Sequence, residues 1–100
     1  MFNEVKFVDG IEDDFLRYKL TNEEVLSIKA KLLLNNSRIL KLSQRVNELS
    51  KDIRKIRFGD YRLFFILKNT TFYCLAYYNR RESYKTKFLK RVLIRSSKLF

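Results

Sequence analysis

The sequence predicts an α+β fold: an N-terminal strand, two to three helices packed on an antiparallel β-sheet, and a C-terminal helix. Three observations carry this. Apolar residues recur at steps of three and four through most of the first half and at steps of two after Lys51. The stretch from Ile53 to Tyr78 is rich in β-branched and aromatic residues. Turn-forming pairs, Gly59-Asp60 and Asn69-Thr70, divide that stretch into short runs.

Taken in order, residues 3–8 alternate Val5 and Phe7 with Glu4 and Lys6, the pattern of a short strand that Gly10 ends. Residues 11–20 predict a short helix with Ile11, Phe15 and Leu16 on one side. Thr21 followed by Glu24 is a capping box, with Leu20 and Val25 at staple spacing. A second helix is therefore expected over 22–34, burying Val25, Ile28, Leu32 and Leu33. Asn35-Asn36 stops it, and Ser37 can cap a third helix carrying Ile39, Leu42, Val46 and Leu49 as its stripe. The short connection makes these two helices antiparallel neighbours. Residues 53–58, 61–68 and 71–78 predict an antiparallel meander, followed by a polar loop over 79–84. Phe88, Leu89, Val92 and Leu93 mark the last helix, with Lys90, Arg91 and Arg95 expected on its wet side.

With 100 residues and 46% hydrophobic content, the chain reads as one domain over 1–100, with enough apolar residues for one core but not two. A single cysteine, Cys74, gives no disulfide framework and fits a reducing compartment. No N-terminal apolar run or membrane span is evident, so a soluble cytoplasmic protein without a membrane role is expected. There is no histidine, which removes the commonest general base and metal ligand; no metal site is expected. The only glycines are Gly10 and Gly59, so no phosphate-binding glycine loop exists and no small-molecule cofactor is implied.

The net charge of +11 is one-sided. Residues 1–50 hold eight Lys/Arg and eight Asp/Glu, whereas residues 51–100 hold fourteen and three. A polyanionic partner is the expectation. If Gly59-Asp60 is a two-residue turn, Arg57 faces Arg62 across the hairpin and Lys55 shares their side. Ile56, Phe58, Tyr61, Leu63, Phe65 and Leu67 then form the face that covers the helices. Like charges directly opposite destabilise a strand pair, and no acidic residue within the pair offsets them. If the second turn is also tight, Tyr73 and Tyr77 join the arginine side, where aromatic rings suit base stacking.

The run Lys55–Arg62 (KIRFGDYR) and the later Asn79–Tyr84 (NRRESY) together resemble the RelE/ParE toxin superfamily, whose members often read close to IRVGDYRVIY and HRREVY at these places. The match covers about a third of the chain. The resemblance implies a RelE-like fold and a toxin of a type II toxin–antitoxin system, acting as a ribosome-dependent endoribonuclease on mRNA without a metal. It implies Arg62 on the scissile phosphate, with Lys55 and Arg57 lowering charge and assisting proton transfer. Arg80 would be a phosphate contact or leaving-group acid, and Tyr84 the tyrosine that stacks the base or moves a proton. A lysine among arginines could serve as base at lowered pKa. Arg81, Tyr73, Tyr77 and Lys85 are the further nucleic-acid-binding candidates, with Arg81 competing for the role of Arg80. Asn79 stands where many relatives carry histidine. The implied partners are a cognate antitoxin protein, the ribosome and mRNA. Two other functions fit the same fold class: a ParE-like inhibitor of DNA gyrase that cuts no RNA, and a basic nucleic-acid-binding module without catalysis.

Overall fold

A computed structural model describes residues 2–46, 48–50 and 52–99. The elements are β1 (Glu4–Phe7), α1 (Ile11–Arg17), α2 (Asn22–Leu34), α3 (Asn36–Leu42), β2 (Gln44–Arg45), β3 (Ile53–Phe58), β4 (Tyr61–Lys68), β5 (Thr71–Asn79) and α4 (Thr86–Ser97), with one 3-10 turn at Glu82–Tyr84. The sheet has five strands in the order β1-β5-β4-β3-β2. β2 to β5 pair antiparallel, and β1 runs parallel to β5, so the sheet is mixed rather than antiparallel throughout. Parallel neighbours need a long crossover, which the helices and the rest of the sheet supply here.

Local signals place most elements. Thr21 Oγ1 accepts the Glu24 N–H at 3.1 Å while Glu24 Oε1 accepts the Thr21 N–H at 3.0 Å, completing the capping box of α2. α1 is shorter than expected because Lys19 turns left-handed at φ 57° and the Leu20 N–H reaches back to the Phe15 carbonyl at 2.9 Å. Leu16 is 72% exposed rather than packed beside Ile11 and Phe15. The turns after β3 and β4 each place a left-handed residue first, Gly59 at φ 61° and Asn69 at φ 57°.

The third helix departs most from its expected extent. It begins directly after Asn35, not at Ser37, with no side-chain cap, and it ends at Leu42. Val46 and Leu49 keep helical spacing in sequence but lie beyond it. The cause is tertiary: Arg54 on β3 donates through Nε to Ser43 Oγ at 2.7 Å and through Nη2 to the Ser43 carbonyl at 3.1 Å. Ser43 is held extended, and Gln44–Arg45 join the sheet edge.

Apolar side chains gather in two clusters, not one, because both faces of the sheet are covered. Ile56, Leu63, Phe65, Phe72, Cys74 and Tyr77 pack with Val5, Ile11, Phe15, Ile28, Leu32 and Ile39, under α1 to α3. Ile53, Phe64, Ile66, Ala76 and Tyr78 pack with Phe88 and Val92 of α4 on the other face, joined by Val46. α4 covers only part of that second face. Among the described residues no helix is long and apolar enough to cross a membrane.

Candidate nucleic-acid interface at the open end of the sheet

The β3–β4 hairpin has the register that a two-residue turn dictates: Arg57 lies opposite Arg62, Ile56 opposite Leu63 and Phe58 opposite Tyr61. Lys55 pairs with Phe64, so it shares the face of Arg57 and Arg62. Beyond the reach of α4 this face ends in an open depression of ≈ 380 Å³ lined by Lys55, Arg57 and Arg62 with Leu42, Gln44 and Ile56.

Tyr84 stands over this end. Arg62 Nη2 donates to its hydroxyl at 3.2 Å, and the Arg62 guanidinium carbon lies 5.9 Å from its ring centre. Lys55 Nζ is 5.6 Å from the same ring centre. The hydrogen bond from Arg62 and the charge of that arginine hold the Tyr84 phenol below its ordinary value of 10.0, with Arg80 and Lys55 adding to the effect. Tyr84 is 59% exposed and available to a ligand. Arg80 is exposed at the end of the hairpin, where its N–H binds the Asp60 carbonyl at 2.9 Å. Arg57 is exposed, and its Nε donates to the Gly59 carbonyl at 3.1 Å.

Among the described residues no carboxylate lies within ion-pair distance of Lys55, Arg57, Arg62, Arg80 or Arg81. Arg62 Nε is screened from solvent and lacks a hydrogen-bond acceptor. The cluster is therefore an array of cations with open donors and an exposed ring. Such an array matches a phosphate beside a base. No group of three His, Cys, Asp or Glu side chains that could hold a metal ion occurs among the described residues.

The structure thus brings Lys55, Arg57, Arg62, Arg80 and Tyr84 to one place. It separates the other candidates. Arg81 and Lys85 are exposed on the chain flanking the 3-10 turn, and no hydrogen bond or ring contact joins them to the cluster among the described residues. Tyr73 pairs with Ile66 and so lies on the arginine face, but it packs into the cluster under α4, away from Arg62. Tyr77 is a correction. It faces Leu63, not Arg62, is 5% exposed, and stacks on Tyr61 at 4.7 Å between ring centres, under the helices.

A β-bulge causes that reversal. Phe65 pairs with Cys74 and Phe64 with Ala76, so Leu75 is an extra residue on β5 and every later side chain changes face. Tyr78 takes the place opposite Arg62. Asp14 and Arg95, which no sequence pattern links to a site, serve the backbone at the bulge. Arg95 Nη1 donates to the Leu75 carbonyl at 3.0 Å, and Asp14 Oδ2 accepts the Tyr77 N–H at 2.9 Å. The two also pair at 2.7 and 3.0 Å. Arg95 is therefore not on the wet side of the last helix. Burial pushes the Asp14 carboxyl up, against the opposing pull of Arg95 and the Tyr77 N–H.

Fold and site together define a small α+β protein with a mixed five-stranded sheet and a cationic, partly aromatic open end. Its fold is RelE-like. A chain of the toxin-antitoxin complex RelBE2 from Mycobacterium tuberculosis superposes with a TM-score of 0.59 at 19% identity, covering 80% of this chain and 100% of that one. At that identity the likeness is one of fold. No family model matches the sequence. No curated protein matches it.

Proposed function

We propose that this chain is the toxin of a toxin–antitoxin pair and acts as a ribosome-dependent endoribonuclease on mRNA. The single observation that carries the reading is the convergence of Lys55, Arg57, Arg62 and Tyr84 on one uncovered end of the sheet with no neutralising acid among the described residues. The RelE-like fold and the toxin–antitoxin setting of its structural neighbour support it. A cognate antitoxin is the corresponding partner, and the cytoplasm the corresponding compartment.

RNA brings its own nucleophile, the 2′ hydroxyl. Its oxygen attacks the adjacent phosphorus, the bond from phosphorus to the 5′ oxygen breaks, and a cyclic phosphate and a 5′ hydroxyl result. One group must take the 2′ proton and another must protonate the departing oxygen. Tyr84, its phenol held down by Arg62, is the proton acceptor in this reading. Lys55 supplies the proton to the leaving oxygen, because a guanidinium does not give one up in a protein. Arg62 and Arg80 stabilise the charge that grows on the phosphorane through their guanidinium groups beside Tyr84. Arg57 contributes charge and phosphate contact. No step calls for a metal, since the cations already present supply charge stabilisation.

The test is in-vitro translation with primer-extension mapping of the message. Wild type should cut the message only when ribosomes are present, and Arg62→Ala should not. Intact message with inhibited DNA supercoiling would instead support gyrase inhibition, and intact message with salt-sensitive RNA binding a non-catalytic module.

A further inference from the structure

The segment carrying Arg80 and Tyr84 has little regular structure of its own: a 3-10 turn of three residues. Its anchor comes from the other end of the chain. Glu82, two residues from each of them, turns its carboxylate inward to 12% side-chain exposure. It accepts hydrogen bonds from the Tyr18 hydroxyl and from both Nε and Nη2 of Arg17, at the C-terminal end of α1. The Tyr18 hydroxyl also accepts the Asn79 N–H at 3.0 Å, and Asn79 Oδ1 accepts the Glu82 N–H at 2.8 Å. Ser83 closes the turn by donating to the Arg80 carbonyl at 2.7 Å. Arg17 lies 4.8 Å from the Phe88 ring centre, which ties the same knot to α4.

Charge makes the arrangement pointed. Only three acids follow residue 50, namely Asp52, Asp60 and Glu82. Glu82 is attached to the segment that carries Tyr84, yet Arg17 and Tyr18 hold its carboxylate and it is not spent on Arg62 or Arg80. The cations at the open end keep their charge for a ligand.

We infer that Arg17, Tyr18 and Glu82 form a positioning clamp: α1 fixes the turn after β5 so that Tyr84 and Arg80 stand against Arg62. The catalytic consequence rests on the nuclease reading; the geometric consequence does not. The clamp acts through Tyr84 and Arg80 rather than on the substrate, so its three members are positioning residues.

Tyr18→Phe keeps the ring, which packs on Tyr61 at 5.1 Å, and removes only the hydroxyl that serves Glu82 and Asn79. Glu82→Gln keeps an acceptor and loses the charge. Two readouts are taken on folded protein: Tyr84 ionisation by NMR of ring-labelled tyrosine, and kcat and KM for ribosome-bound message. In wild type Tyr84 ionises below its ordinary 10.0. In both variants its titration should move up, with Tyr18→Phe the larger shift. kcat should fall on the order of tenfold to a hundredfold while KM changes little, the effect of misplaced but intact groups. Asp14→Asn, which perturbs the buried ion pair with Arg95, should lower stability and leave the Tyr84 titration where it is. An unmoved Tyr84 titration in both clamp variants overturns the inference even if kcat drops. So does an equal shift in Asp14→Asn, which would make the effect general loosening. Wild type that cuts no RNA, with Tyr84 still shifting in the variants, removes the nuclease reading and leaves the clamp standing.

Discussion

Two arginine sites on the sheet handle charge in opposite ways. At the bulge on β5 Arg95, with its side chain 12% exposed, meets Asp14, 3% exposed, and both are further bonded to the backbone of β5. At the open end Arg57 and Arg62 face each other with no acid among the described residues to pair them, and one donor of Arg62 has no acceptor. A charge inside a fold must be paired, because desolvation is expensive. A charge at the rim can stay unpaired at modest cost to the sheet, and only an unpaired cation is available to a phosphate. The contrast separates arginines that build the protein from arginines that are available to act.

Breaking the site at the bulge should have the largest effect. Asp14→Ala strands Arg95 and the Tyr77 N–H, and is expected to cost about 3–5 kcal/mol in urea unfolding. Replacing both partners with apolar residues of similar size should restore much of that loss, as for other buried ion pairs. At the open end the expectation inverts. Arg62→Ala should leave unfolding within about 0.5 kcal/mol. It should lower message cleavage about a hundredfold, near 2.7 kcal/mol of transition-state stabilisation. Equal stability losses for Asp14→Ala and Arg62→Ala would erase the comparison.

A smaller effect tests which tyrosine belongs to which end. Tyr77→Phe should leave RNA affinity unchanged, since Tyr77 lies under the helices, and its burial pushes its phenol up to about 12. Tyr84→Phe should reduce kcat without a comparable change in stability. The smallest effect concerns acid. Burial alone would raise the Glu82 carboxyl, but Tyr18 and Arg17 hold it below its ordinary 4.5. A folded value below the unfolded one means that the stabilisation is complete above 4.5 and fades as pH falls through the folded value. The difference in urea midpoint between wild type and Glu82→Gln should therefore shrink over that acid window. Taking the difference cancels the opposite contribution of Asp14, whose carboxyl is raised.

Much of the site is legible in the sequence because a tight hairpin is a local object. Gly59-Asp60 sets the register, and the register sets Arg57 against Arg62. The motif NRRESY points to Arg80 and Tyr84, which do reach the hairpin's end. The departures have distant causes. Counting twos along β5 puts Tyr77 on the arginine face, and the count breaks at Leu75. Nothing in LAYY announces a bulge, because the groups that satisfy it, Asp14 and Arg95, lie 63 and 20 residues away. Spacing puts Val46 and Leu49 on a helix, and Arg54 draws the chain into the sheet instead. Arg17, Tyr18 and Glu82 carry no signal at all, since no pattern in a single chain links α1 to the turn after β5.

The sequence by itself determined the order of strands and helices apart from β2, the capping box at Thr21, the two turns of the meander and the gathering of cations after residue 50. These follow from steric preference, short-range hydrogen bonding and side-chain period, which act over a few residues. The tertiary structure decided the parallel pairing of β1 with β5, the division of the core between two faces, the face that Tyr77 takes and which arginines stay unpaired. Those depend on which distant groups satisfy a buried charge or backbone amide, and that is settled only when the chain closes on itself.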